Sequence, residues 1–248
     1  MFREQSQPGF ETGTSQKNKI VGNIMKRMFN EYRDFFREFR SRFETTGAVT
    51  PSGRFLAAAL SGPLKKHDGP VRVLEVGPGT GAVTRQIVKH LKPGDRFDLV
   101  ELNDNFVDSL NRLFSEEDIF RAVAEFSEVH LCPLQEFEAS EPFDFIISGL
   151  PLNNFPAALV EEIFESYWRL LAPGGTLSYF EYMYVRPVRR LVSKPDEKQR
   201  LTDLDKILGT HLGNHRIARD WVFVNAPPAW VQHLRRQESA TAADSTAG

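Results

Sequence analysis

An α/β fold, with a mostly parallel sheet and helices on both of its faces, is predicted for this 248-residue chain by three observations. Short apolar runs alternate with helical stretches from Val71 to Tyr182, the pattern of strands joined by crossover helices. Three glycines at alternate positions, Gly77, Gly79 and Gly81, follow the first apolar run and lead into a helix start. Near the other end, the apolar runs Arg216 to Val224 and Ala229 to Leu234 are separated only by Asn225-Ala-Pro-Pro. That is a hairpin distance and not a crossover, so the last pair is antiparallel.

Taken in order, strands are expected at 71–76, 96–101, 128–132, 143–148 and 175–182, and helices at 82–91, 104–113 and 157–171, with an acidic helix or turn near 115–125. Lys92-Pro93-Gly94-Asp95 is the turn between the first helix and the second strand. Ahead of the sheet, Arg54 to Leu60 starts a helix with Thr50 or Ser52 as its cap and Pro51 in its first turn. Residues 1–16 are polar and rich in Gly, Ser and Thr, and 237–248 form a similar tail, so both ends are expected to be mobile and to carry no chemistry. The chain has no internal repeat.

The glycines lack Cβ atoms, so their loop can take positive φ and bring backbone against a ligand. A dinucleotide-binding loop has G-x-G-x-x-G with the pyrophosphate on the helix N-terminus; this loop has G-x-G-x-G, and Glu75 stands two residues before the first glycine. The resulting E-x-G-x-G-x-G resembles the first motif of the class I S-adenosylmethionine-dependent methyltransferases. A carboxylate about 20 residues past such a loop accepts hydrogen bonds from ribose hydroxyls, and Glu101, near the end of the strand Arg96 to Leu102, has that spacing.

In front of the sheet, Ile20, Val21, Ile24, Met25, Met28, Phe29, Tyr32, Phe36, Phe39 and Phe43 step by threes and fours, the stripe of one helical face. The helix would run about 24 residues, or roughly 36 Å. Between Lys17 and Phe43 stand eight basic residues, among them Arg33 and Arg40, and three acids. An apolar face this aromatic with arginine-rich flanks is that of a helix lying at a membrane interface, although packing of the stripe onto the domain is the simpler use of such a face. The break at Thr45 to Gly53 joins it to the sheet, and the joining segment is placed to act as a lid over the cofactor.

Beyond the strand ending at Ser148 lies Gly149-Leu-Pro-Leu-Asn-Asn-Phe-Pro156, which should stand opposite the glycine loop. Amino-methyltransferases acting on nucleobases carry Asn-Leu-Pro-Tyr or Asp-Pro-Pro-Tyr at this point. Here the sequence reads Gly149-Leu150-Pro151-Leu152, with the polar residue shifted to Ser148 or Asn153 and no stacking ring, which fits a flexible aliphatic amine better than a planar base. The front segment, Thr46 to Ala57, the glycine motif, Ser148 to Phe155 and Phe180-Glu-Tyr182 together resemble the bacterial phospholipid N-methyltransferases, from about Ile20 to Arg235.

That resemblance implies a Rossmann-like, seven-stranded methyltransferase sheet with a C-terminal antiparallel hairpin, occupying 63–236, and an N-terminal amphipathic helix and lid segment over 17–62. It implies stepwise methylation of phosphatidylethanolamine through its mono- and dimethyl forms towards phosphatidylcholine, with S-adenosylmethionine consumed and S-adenosylhomocysteine released each time. The cofactor would be held by Glu75, Gly77, Gly79, Thr80, Gly81, Glu101, Leu102, Leu134 and Ser148. Leu131-Cys-Pro-Leu-Gln135 lacks the aspartate that binds the adenine amino group in many methyltransferases, so Leu134 backbone or Gln135 would serve. The candidate catalytic set is Ser148, Gly149, Asn153, Glu181 and Tyr182, with Tyr184 as a further unranked proton acceptor or aligner. Tyr32, Tyr182 or Phe155 would shelter the methylated cation. Arg186, Arg189 and Arg190 would meet the lipid phosphodiester or form a solvated basic loop. Tyr32, Phe36, Arg33 and Arg40 would meet the membrane. Two other readings stand beside this one: an RNA adenine N-dimethyltransferase, and a membrane-binding module with a degenerate methyltransferase fold.

Composition narrows the partners. A hydrophobic content of 41% and a net charge of −2 suit one α/β domain with an extension and argue against a broad nucleic-acid surface, so no nucleic-acid partner is expected. The lone Cys132 fits a reducing cytoplasm and reads as a small buried residue. His211 and His215 have helical spacing, but Gly213-Asn214 lies between them and no acid or cysteine completes a ligand set, so no metal is expected. The start of the chain has no secretory pattern, and no stretch approaches the ~20 apolar residues that span a bilayer. The expected location is cytoplasmic, peripheral on the inner face of the membrane, with anionic and zwitterionic phospholipids as partners.

Overall fold

Runs of Val, Leu, Ile and Phe form β1 (Arg72–Val76), β2 (Arg96–Glu101), β3 (Ser127–Leu131), β4 (Phe143–Ser148) and β5 (Leu171–Tyr182). The computed structural model describes residues 53–183, 185–225 and 227–238. The readings made for 1–16, the 17–43 helix with Tyr32, Arg33, Phe36 and Arg40, and the tail from 239 lie outside the described residues. So does Tyr184, and nothing is described of the Arg189 side chain.

The sheet has seven strands in the order β3-β2-β1-β4-β5-β7-β6. β1 to β5 are parallel, and β7 (Ala229–Arg235) runs antiparallel to both β5 and β6 (Arg216–Val222). β1 and β2 are buried from their second residues onward, so they read as continuous apolar runs and not as alternating ones. The direction of winding changes between β1 and β4, and a crevice forms where the chain leaves those two strands in opposite senses.

Helices cover both faces. α1 (Gly53–Leu60) buries Ala57 and Leu60 and packs on β5, β6 and β7. α2 (Thr84–Ile87) is shorter than the 82–91 predicted. Around it Gln86 and Ile87 both donate to the Val83 carbonyl, at 2.8 and 3.1 Å, a mixture of 3-10 and α turns. The β-branched Val83, Thr84, Ile87 and Val88 lose side-chain freedom in a regular helix. α3 (Asp104–Glu116) starts at Asn103, whose side chain accepts from the Asn105 N–H at 3.0 Å. α4 (Asp118–Arg121) and a 3-10 turn occupy the acidic stretch. α5 (Ala157–Leu170) puts Val160, Ile163, Phe164 and Tyr167 into the core.

Two helices depart from the sequence reading. α6 (Val185–Val192) stands where a solvated basic loop was the alternative for Arg186 to Arg190, and α7 (Pro195–His215) occupies a stretch for which the sequence predicts no element. Pro187, Gly209 and Gly213 obscure the helical signal, and α7 buries only Leu201, Leu204 and Leu208. His211 and His215 do share that helix. The His211 ring stacks on Phe164 at 4.1 Å, and its Nδ1 accepts from Trp168 Nε1 at 3.2 Å. β5 begins four residues before the expected 175, because Pro173-Gly174-Gly175 continues the strand past an irregularity in its pairing with β4. Among the described residues, no helix is long and apolar enough to cross a membrane.

Candidate active site

The residues after β1, β2, β4 and β5 meet at one edge of the sheet. Gly77, Gly79 and Gly81 have φ of 67°, 58° and 80°, a region closed to most side chains. The Gly77 N–H donates to Val100 at 2.9 Å, and the Gly149 N–H donates to Val76 at 2.8 Å, so both loops peel away from adjoining strand ends. They are in direct contact. A Cβ on Gly149 would lie 2.7 Å from the Gly77 carbonyl oxygen, and one on Gly77 would lie 2.5 Å from Leu150 Cδ2. Gly149 is therefore needed for close backbone approach, and Leu150, which the sequence did not single out, is the floor beneath the glycine loop.

Glu101 ties the loop to β2. Its buried carboxylate accepts from the Gly79 N–H at 3.0 Å, from Leu102 at 2.8 Å and from Asn103 at 3.1 Å. Charge-assisted bonds of this kind are the strong ones, and they fix a loop that would otherwise be costly to order. Glu75, paired in the sheet with Leu99 and Ile147, is fully buried, and Thr80 is exposed at the tip of the turn. Thr84 Oγ1 is buried without a hydrogen-bond partner and lies 3.7 Å from where a Gly81 Cβ would be. Positive-φ glycines, a buried acid at their base and an unpaired hydroxyl beside them fit a small polar ligand held by backbone.

Across the crevice, Ser148 is fully buried, and its Oγ accepts from the Tyr167 hydroxyl at 2.6 Å and from the Leu150 N–H at 3.2 Å. This side chain shapes the Gly149-Leu150 turn. Tyr167 was missed; its signal was a hydroxyl on the core face of the 157–171 helix, which must find a partner. Asn153 lies in the 3-10 turn Leu152–Asn154, is 3% exposed, and its Oδ1 has no hydrogen-bond partner. A buried carbonyl left so costs about 1–3 kcal/mol unless a donor arrives. Phe155 is fully buried in the core, and its carbonyl accepts from Arg200 Nη1 at 2.6 Å.

Leu134 is 5% exposed. Its carbonyl and those of Gln135 and Phe137 accept from Arg169 at 3.5, 3.4 and 3.1 Å. Arg169 thus organises the loop after β3, a role for which the sequence carried no signal.

At the end of β5, Glu181 is buried and ion-paired with Arg186, and it accepts from Gln232 Nε2 at 3.0 Å. Arg186 also reaches Asp205 at 3.2 Å, and Arg190 bonds the other oxygen of Asp205. The structure therefore joins Arg186 and Arg190 to carboxylates. Tyr182 is half-buried, and burial pushes its phenol up to about 12, so at neutral pH it donates and does not act as a base. Cys132 is half-buried, and burial followed by the Glu136 charge pushes its thiol up. Asp98, Glu128 and His130 bring ligand-type atoms within 4.8 Å of one another, but Arg96 bonds both carboxylates.

Residues 73–175 match the family model described as a methyltransferase domain. The chain carries a class I S-adenosylmethionine-dependent methyltransferase domain. The glycine loop after β1 lies within the matched residues, and the antiparallel closing hairpin lies beyond them.

The chain is 29% identical over 165 residues to the ornithine lipid N-methyltransferase of Singulisphaera acidiphila, covering 64% of this chain and 84% of that enzyme. It is 31% identical over 123 residues to ribosomal RNA small subunit methyltransferase A of Staphylococcus carnosus, covering 43% of this chain and 40% of that protein. In fold it is similar to the 1,6-didemethyltoxoflavin-N1-methyltransferase of Burkholderia thailandensis, solved with S-adenosylhomocysteine. The TM-score is 0.60 at 18% identity, over 84% of this chain and 90% of that one.

Proposed function

We propose that this methyltransferase acts on a lipid amine at a membrane surface, methylating phosphatidylethanolamine and then its mono- and dimethyl forms towards phosphatidylcholine. The observation that carries the reading is the turn after β4, where a buried Asn153 Oδ1 without a hydrogen-bond partner follows Leu152, an aliphatic residue at the fourth position of Gly149-Leu-Pro-Leu where a base-stacking ring would stand. The aromatic, arginine-rich 17–43 stretch and the similarity to a lipid N-methyltransferase over most of that enzyme's length support it.

S-adenosylmethionine, when bound, supplies a methyl group on a positively charged sulfur, which a neutral nitrogen lone pair takes in line. Gly77, Gly79, Thr80 and Gly81 would lie along it, with Glu75 and Glu101 beneath, Glu101 toward the ribose hydroxyls, and Leu102, Leu134 and Ser148 along its length. Positioning supplies much of the rate for such a transfer. In the transfers to phosphatidylethanolamine and its monomethyl form, Asn153 Oδ1 accepts an N–H of the neutral amine and turns its lone pair toward the crevice; the dimethyl amine has no N–H and is held by its surroundings alone. Tyr182 donates from its phenol and offers a ring face to the cation that forms. Glu181 is already paired with Arg186 and Gln232, so the amine proton leaves to water. Arg186 and Arg190 are bonded to carboxylates, so their guanidiniums are engaged within the protein; the bases of the 17–43 stretch, Arg33 and Arg40 among them, would meet the anionic membrane surface.

Methyl-labelled S-adenosylmethionine incubated with phosphatidylethanolamine vesicles should label the lipid. Asn153→Ala should lower kcat/KM by roughly 5- to 150-fold, the equivalent of about 1–3 kcal/mol. The match to a ribosomal RNA methyltransferase keeps RNA adenine as a second acceptor to test in parallel. Label in RNA alone, or in neither, rejects the lipid reading.

A further inference from the structure

The turn between β6 and β7 exposes what a loop tip in water ordinarily does not. Trp221 is 52% exposed, Phe223 64% and Val224 61%. The Trp221 and Phe223 rings stack with centroids 5.6 Å apart. Trp230, directly opposite Trp221 in the strand register, meets it edge-on at 5.7 Å. From Trp221 to Gln232 the sequence holds no Asp, Glu, Lys or Arg. Exposed aromatic clusters of this kind mark contact surfaces.

The tip is fixed to the edge of the sheet on which the site opens. Tyr182 and Val222 are both in register with Ala229, and the Met183 N–H donates to the Pro228 carbonyl at 2.7 Å. The turn therefore lies at the same end of the strands as Gly77–Gly81 and Gly149–Asn153. Behind the tip, the Arg219 guanidinium lies over the Trp230 ring at 5.2 Å, and Asp220 faces His233 at 3.3 Å.

We infer that this tip is a membrane-interface contact: Trp221, Phe223 and Val224 enter the headgroup layer of a phospholipid bilayer, and Arg219 meets phosphate one step behind them. This rests on the lipid-substrate reading above and extends it, since it turns the edge that carries the site toward the bilayer. The chemistry is complementary at each depth. Aromatic rings partition to the interface, an uncharged tip enters without desolvating an ion, and a guanidinium placed behind it pairs with phosphate. Strand addition by a protein is disfavoured because Arg216, Arg219 and Asp220 occupy the edge strand β6.

The test uses the full chain with Trp168→Phe and Trp230→Phe, leaving Trp221 as its only tryptophan, mixed with phosphatidylethanolamine and phosphatidylglycerol vesicles whose acyl chains are brominated. Trp221 emission should shift to the blue and be quenched. In the otherwise natural chain, Trp221→Ser with Phe223→Ser should lower vesicle partitioning at least about tenfold, from lost apolar burial, with S-adenosylmethionine affinity unchanged. Unquenched emission with unchanged partitioning overturns the contact. So does loss of self-association in the double variant with partitioning intact, which would make the tip a protein interface. Quenching without methylation of any amino lipid upholds the contact and rejects the substrate reading; methylation of vesicle lipid without quenching does the reverse.

Discussion

A single methyl group added at Gly149 tests how the site is put together. Its Cβ would fall 2.7 Å from the Gly77 carbonyl, a backbone atom that cannot swing aside, so Gly149→Ala should cost roughly 1–3 kcal/mol of stability by overpacking and weaken cofactor binding. Gly62→Ala, with nothing within 4 Å of the added Cβ, should stay within about 0.5 kcal/mol; thermal unfolding of the two variants, side by side with calorimetry, checks both. Glu101→Ala removes one carboxylate from three backbone donors. The expected loss in S-adenosylmethionine affinity is about 1–3 kcal/mol for charged hydrogen bonds, and unchanged binding by calorimetry would take Glu101 out of the site. The glycines and both acids were legible in the sequence because their spacing encodes local backbone geometry. Tyr167, Leu150 and Arg169 were not, since their work is set by contacts with residues 19, 73 and 32 to 35 positions away.

β1, β2 and β4 were readable to within a residue, because burial leaves apolar runs that only turn residues interrupt; the partly exposed β3 was displaced by one residue and the start of β5 by four. The helices were less so. α7 buries three leucines along 21 residues and carries two glycines, too thin a stripe to stand out, yet it supplies Asp205 to Arg186 and Arg200 to the Phe155 carbonyl. The antiparallel β5-β7-β6 element also carries a pH dependence. His233 is buried between Ser178 at 2.8 Å and Asp220 at 3.3 Å; burial lowers its pKa below the usual 6.5, and the pull of Asp220 in the other direction does not restore it. A depressed histidine contributes stability that is present above the unfolded value and lost as the pH falls below it, because the unfolded chain then binds the extra proton. His90 and His211 are lowered in the same direction, burial being the first cause in each. Denaturant midpoints should therefore drop between about pH 7.5 and 5.5, and His233→Gln should flatten that slope.

The whole chain carries its charge unevenly: 17–43 holds eight bases against three acids while the total is −2. Attraction to an anionic surface is thus concentrated in one segment. Removing residues 1–43 should lower co-sedimentation with anionic vesicles, an effect that fades with added salt in the intact protein, while leaving S-adenosylmethionine binding in place; unchanged co-sedimentation would contradict the anchor. The cofactor loop identifies a methyl donor and is silent about the acceptor, so the decisive observation is where the methyl group goes. Purified full-length protein with labelled S-adenosylmethionine should transfer label to phosphatidylethanolamine in vesicles, first as the monomethyl and then as the dimethyl lipid. Label found in RNA offered in parallel and absent from lipid would contradict the account.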